Sequence, residues 1–159
     1  MAARRKTHGD ASFCELGTKP AAHGRRTKNR TVMYRHTGGC AWTGVRDQPY
    51  KTAAGGWSGI MRRVLVGDHG ESAGFHLRYF EIEPGGNSSL EHHRHEHVVV
   101  CIRGRGVVRT GRVRRTMDYL DTLYIAPDTP HQLLNPFQEP FGFFCIVNAK
   151  RDRPKILKD

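Results

Sequence analysis

From about residue 57 onward, apolar and polar side chains alternate in short runs, and most runs are closed by Gly or Pro. The runs are Ile60 to Val66, Phe75 to Glu83, Val98 to Ile102, Val107 to Thr110, Arg112 to Arg115, Tyr119 to Ile125, His131 to Asn135 and Phe141 to Val147. A period of two over so few residues predicts strands, because successive side chains of an extended chain point to opposite faces. The breaks at 67–70, 84–86, 103–106 and 126–130 predict turns, with glycine supplying positive φ where the chain reverses. No stretch holds a helical period, and no internal repeat is visible. Strands spaced roughly 8–12 residues apart with Gly/Pro turns predict one all-β barrel or sandwich.

Outside that region the pattern fades. Residues 1–41 mix Arg, Lys, Gly, His and Thr without periodicity and read as a basic, disordered arm. Residues 42–149 read as the barrel and 150–159 as a basic tail. Trp42, Val45, Tyr50 and Trp57 form an irregular lead-in over one end of the core, an edge suited to pairing two copies as a homodimer.

Charge follows the same division. The chain has 159 residues and a net charge of +11, one domain's worth of sequence. Nine Lys/Arg face two Asp/Glu in residues 1–40, twelve face eleven in 41–149, and five face two in 150–159. The barrel is nearly neutral and the ends carry the charge, as solvated tails do. A nucleic-acid role finds little support: there is no helix-turn-helix pattern, and the arm lacks interleaved aromatics. The string Arg103-Gly104-Arg105-Gly106 sits between two apolar runs and reads as a hairpin turn.

The four cysteines, Cys14, Cys40, Cys101 and Cys145, form no C-x-x-C pair. Cys14, His23, His36 and Cys40 match no common zinc spacing. No apolar run follows the basic N-terminus, and none approaches the length of a membrane span. These features predict a reducing, cytoplasmic setting.

One stretch concentrates chemistry. Residues 91–97 read Glu-His-His-Arg-His-Glu-His and run directly into Val98–Ile102. In an extended chain Glu91, His93, His95 and His97 share one face, a carboxylate and three imidazoles suited to a divalent transition metal. A histidine-rich surface strand is the plainer reading, but such a strand would not lead straight into a core run.

The spacing around this stretch resembles the cupin superfamily. From Gly85, five residues lead to Glu91, then come His93, His97 after three more, and Gly104 after six. Every gap of the first cupin motif is met, with Glu in a His slot and His in the Glu slot. In the second motif Leu120 stands at the opening glycine, Ala126 at the proline and Asp128 at the next glycine. His131 and Asn135 occupy their own slots. The resemblance implies a single-domain jelly-roll barrel over roughly residues 57–149. It also implies a metal held by Glu91, His93, His97 and His131: manganese, with iron, zinc, nickel or cobalt as other candidates. His95, on the same nominal face, either replaces one ligand or faces substrate.

Trp57-x-Gly59, Arg78-Tyr79-Phe80-Glu81-Ile82-x-Pro84-Gly85-Gly86, Leu90-Glu91-x-His93-x-His95-x-His97 and Phe144-Cys145-Ile146-Val147-x-Ala149-x-Arg151-Asp152-Arg153-Pro154 resemble cupins of the methylthioxylulose 5-phosphate sulfurylase type. That likeness implies an enzyme acting on a phosphorylated methylthio-ketose, with Cys145 as catalytic thiol and glutathione taking the methylthio group. Core packing is the other reading of Cys145 and the favoured one of Cys101. Arg62, Arg63 and Arg78 are expected at the surface, although any one turned inward would be a fork for phosphate or carboxylate. The rival functions are a dioxygenase using O2, a ligand-sensing or nucleic-acid-associated cupin, and a metal-free structural barrel.

Overall fold

A computed structural model describes residues 31–51 and 55–158. Cys14, His23 and most of the expected arm lie outside the described residues. All regular structure among the described residues is strand: β1 His36–Gly38, β2 Ala41–Trp42, β3 Gln48–Pro49, β4 Ser58–Val66, β5 Phe75–Asn87, β6 Glu91–His92, β7 His97–Arg103, β8 Gly106–Thr110, β9 Val113–Met117, β10 Thr122–Ile125, β11 His131–Leu134, β12 Phe141–Asn148 and β13 Lys155–Ile156. No helix there is long and apolar enough to cross a membrane.

β1 and β2 form a hairpin, and the other eleven strands form one antiparallel sheet. Its main path runs β10-β7-β12-β5-β11-β6-β13, with β4 laid against β5, β3 against β4, and β8 of the β8–β9 hairpin against β11. The sheet curls into a nearly closed jelly-roll barrel, the all-β architecture that the strand spacing predicts. Alternation fills it. His97, Val99 and Cys101 of β7 point inward, as do Phe141, Phe143, Cys145 and Val147 of β12. Phe80 stacks on Phe143 with ring centroids 5.5 Å apart at the centre of the core.

Two expectations are corrected. Pro84-Gly85-Gly86 is no turn: β5 continues through it, bending at Gly85 with φ +76°. The bend hands the strand to a new partner, because Gly85 N–H donates to Asn135 O at 2.8 Å and Asn135 N–H to Gly86 O at 2.9 Å. Gly86 also lets β4 close in, since a Cβ there would lie 2.7 Å from Ser58 O. Tyr119 and Leu120 leave the strand predicted for them and make a turn, with Leu120 N–H donating to Cys101 O at 2.8 Å.

Both chain ends pack on the barrel. Trp42, first residue of the expected lead-in, packs on Tyr79 and Phe144, at 5.3 and 5.8 Å between ring centroids, so the β1–β2 hairpin covers the barrel's outer face. Residues 150–158 are docked as well. β13 pairs with β6, setting Ile156 opposite Glu91, and Leu157 N–H donates to Leu90 O at 2.9 Å. Composition reported the charge of this tail but not the sheet edge that receives it.

Candidate active site

A cavity of about 810 Å³ opens into the barrel, lined by His93, His95, His97, His131, Cys145 and Arg78 among others. Its histidines come from two places. β6 ends at His92, a bend carries residues 93–96, and β7 begins at His97. The sheet then places His131 of β11 opposite Glu91. Although the segment is not one continuous strand, the expected alternation survives: residues 91, 93, 95 and 97 are buried, while Arg94 and Glu96 are exposed.

Hydrogen bonds select the tautomers. His93 Nδ1 lies 2.7 Å from His95 O, and His131 Nδ1 lies 2.9 Å from Thr129 O. A carbonyl only accepts, so each Nδ1 carries the proton and each Nε2 keeps its lone pair. His97 Nδ1 lies 3.5 Å from Cys145 Sγ; with the sulfur as thiolate the ring donates through Nδ1 and its Nε2 keeps its lone pair. His93 Nε2 and His97 Nε2 are buried without a hydrogen-bond partner. One ligand atom from each of His93, His97 and His131 lies within 4.8 Å of the others, so the three can hold a metal ion.

Burial, followed by the neighbouring histidines, lowers His93 to a pKa of about 4. Burial and then Arg78 lower His97, and burial lowers His131. Neutral imidazoles with bare, converging nitrogens suit a divalent cation and leave each buried lone pair unsatisfied without one.

The remaining expected site residues fall into place unequally. Glu91 is buried beside this group but turned to other partners: its Oε2 accepts from Ser89 Oγ at 2.6 Å and from Lys51 Nζ. His95 stacks on His93 with centroids 3.7 Å apart and holds Asp152 Oδ1 through Nδ1 at 2.8 Å. Cys145 lies inside the cavity, whereas Cys101 is a core residue whose sulfur meets the Arg103 and Gly104 carbonyls. His36 and Cys40 belong to the outer hairpin region and do not line the cavity.

Arg78 contradicts the surface expectation. It is 9% exposed, its guanidinium sits over Phe80 at 5.1 Å, and Nη2 donates to Cys145 Sγ at 3.3 Å. The signal was present in the sequence: Arg78 shares its alternation phase with Phe80 and Ile82, both core residues. Arg63 lies on the outer side but is covered there, donating to Asp47 Oδ1 at 2.5 Å and to Cys40 O at 2.8 Å with its side chain 13% exposed. Tyr50 of the lead-in, Lys51, and Arg151 and Asp152 of the Arg-Asp-Arg-Pro run also line the cavity.

Comparison with known proteins agrees with this geometry. Residues 78–147 match the cupin domain family. The chain is 38% identical over 116 residues to a protein of Rhodospirillum rubrum named 1-methylthio-D-xylulose 5-phosphate methylsulfurylase, covering 72% of this chain and 73% of that one. A cupin-2 domain structure from Rhodospirillum rubrum matches with TM-score 0.68 and 35% identity, over 80% of this chain and 81% of the other. A cupin 2 barrel protein from Rhodopseudomonas palustris matches with TM-score 0.73 and 34% identity, over 80% and 87%. With its barrel, its inward histidines and these relatives, the chain belongs to the cupin family.

Proposed function

We propose that the protein is a metal-dependent enzyme that uses a thiol to cleave the C–S bond of a phosphorylated methylthio-ketose. The observation that carries this reading is the placement of Cys145 Sγ, 3.5 Å from His97 Nδ1 and 3.3 Å from Arg78 Nη2, beside three convergent imidazoles. The relative named for a methylsulfurylase acting on 1-methylthio-D-xylulose 5-phosphate supports it.

In this reading His93, His97 and His131 hold the ion, and Glu91 completes the set once Lys51 releases it. A divalent ion there, manganese in our reading and iron, zinc, nickel or cobalt on the same donors, supplies Lewis-acid polarisation of the ketose carbonyl. The Arg78 guanidinium and the His97 Nδ1–H stabilise the Cys145 sulfur as thiolate. The thiolate attacks the methylthio sulfur and an S–S bond forms. The C–S electron pair passes to the carbon next to the carbonyl, giving an enolate that takes a proton. Glutathione, as thiolate, then attacks the methylthio sulfur, releasing a methylthio–glutathione disulfide and restoring Cys145. One carbon is reduced as two sulfurs are joined, so no outside oxidant is needed. A cytoplasmic setting with abundant reduced glutathione and a homodimeric state belong to the same reading.

The test is anaerobic turnover of a 1-methylthio-ketose 5-phosphate with manganese and glutathione, read by mass spectrometry of the mixed disulfide. Wild type produces it and Cys145→Ser does not. Elemental analysis accompanies it: wild type carries one ion per chain, lost in His93→Ala and His131→Ala and diminished in Glu91→Ala. A strict requirement for O2 in place of the thiol would overturn the reading in favour of a dioxygenase.

A further inference from the structure

Beyond the Arg78 N–H given to Cys145, the cavity carries positive charge that the proposed ligands and nucleophile leave unused. Arg62 and Arg78 stand on adjacent strands, Arg62 opposite Phe80 and Arg78 opposite Val64, which makes them diagonal neighbours on one face of the sheet. Arg151 enters from the segment after β12, its Nη1 donating to Asn148 O at 3.3 Å. All three line the cavity together with Cys145.

None of the three has an ion-pair partner among the described residues. Arg62 Nη2 donates to the neutral amide oxygen of Gln48 at 3.0 Å, and Arg78 Nη2 donates to Cys145 Sγ. The Nε atoms of Arg62 and Arg78 are buried without hydrogen-bond partners. The nearby carboxylates are otherwise engaged. Asp68 accepts from Gln48 Nε2 at 3.1 Å, Asp152 accepts from the Arg94 backbone and faces His95, and Glu91 is held by Lys51 and Ser89. Burial first, and then repulsion from Arg78, lowers the pKa of both Arg62 and Arg151. Uncompensated guanidiniums with orphaned N–H groups inside a cavity are costly unless an anion completes them. A phosphate monoester, dianionic and rich in acceptor oxygens, matches the planar forks.

We infer that Arg62, Arg78 and Arg151 form the subsite that receives the phosphate end of a small phosphomonoester. This rests on the proposed function and sharpens it by naming the groups that select the substrate's charged end. Because Arg151 belongs to the docked C-terminal segment, that segment completes the subsite.

Calorimetric titration of the full-length protein with inorganic phosphate tests it, with chloride at equal ionic strength as the blank. Wild type binds phosphate saturably, and sulfate competes. Arg62→Gln and Arg151→Gln each weaken binding about tenfold, the loss of one charged hydrogen-bonding group, while Arg112→Gln on the exposed β8–β9 turn leaves it unchanged. If Arg62→Gln does not fold, Arg62→Lys, which keeps the charge and loses the fork, takes its place beside Arg151→Gln. Absence of phosphate binding in wild type, or equal binding by the variants, overturns the inference. The readout needs no turnover: phosphate binding with this pattern but no C–S cleavage would remove the proposed reaction and leave the subsite standing. Cleavage whose KM is unmoved in Arg151→Gln would remove the subsite alone.

Discussion

Leu120 and Asp128 hold backbone conformations usually left to glycine, with φ of +69° and +60°. They occupy the two glycine slots of the second cupin motif, so the chain keeps the backbone of the motif while changing its residues. Asp tolerates the left-handed region through local hydrogen bonding, whereas Leu pays the steric cost of its Cβ. Leu120 is also 61% exposed and contributes little burial in return. We expect Leu120→Gly to raise stability by about 1 kcal/mol and Asp128→Gly to change it little, read as urea midpoints. A lower midpoint for Leu120→Gly would show that its turn relies on the side chain. Strand alternation put Glu91, His93, His95 and His97 on one face, and the cupin spacing singled out His93, His97 and His131 among the histidines. Arg78 was missed because charge was weighed above its phase with Phe80 and Ile82.

At the scale of elements, the segment 150–158 differs most from expectation. Its charge suggests a solvated tail, yet Asp152 accepts from the Arg94 backbone N–H at 3.0 Å and meets His95 Nδ1, and β13 adds a strand beside β6. Those bonds, the Arg94 N–H foremost, hold the Asp152 carboxyl below the usual carboxylate range. Asp152→Ala is expected to speed hydrogen exchange at the Leu157 amide while barely moving the global melting temperature, because local opening of an edge strand is cheaper than unfolding. Unchanged protection at Leu157 would mean that strand pairing alone docks the segment. A two-residue strand leaves no periodic signature, so only the exposed edge of β6 decides that it forms.

At the scale of the whole molecule, the site draws on β6, β7, β11 and β12 at once, and burial lowers the pKa of its His93, His97 and His131. Consider the protein stripped of metal by a chelator. An unfolded histidine titrates near 6.5, whereas folded His93 titrates near 4. Below 6.5 the unfolded chain therefore binds more protons, and stability falls as pH drops toward 4. The slope approaches about 1.4 kcal/mol per pH unit for each such histidine. Thermal melts of the chelated protein between pH 7 and 4 check this. A melting temperature flat across that window would show the cluster to be already protonated or solvated at neutral pH.

Period-two alternation and motif spacing are local properties of the chain, and they suffice for the strand pattern, the all-β class and the candidate ligands Glu91, His93, His95, His97 and His131. Tertiary structure alone decided the orientation of Glu91 toward Lys51, the inward turn of Arg78 beside Cys145, and the docking of the C-terminal segment against β6. Each of these depends on which distant strand edge or side chain lies opposite, and that is set only when the sheet closes on itself.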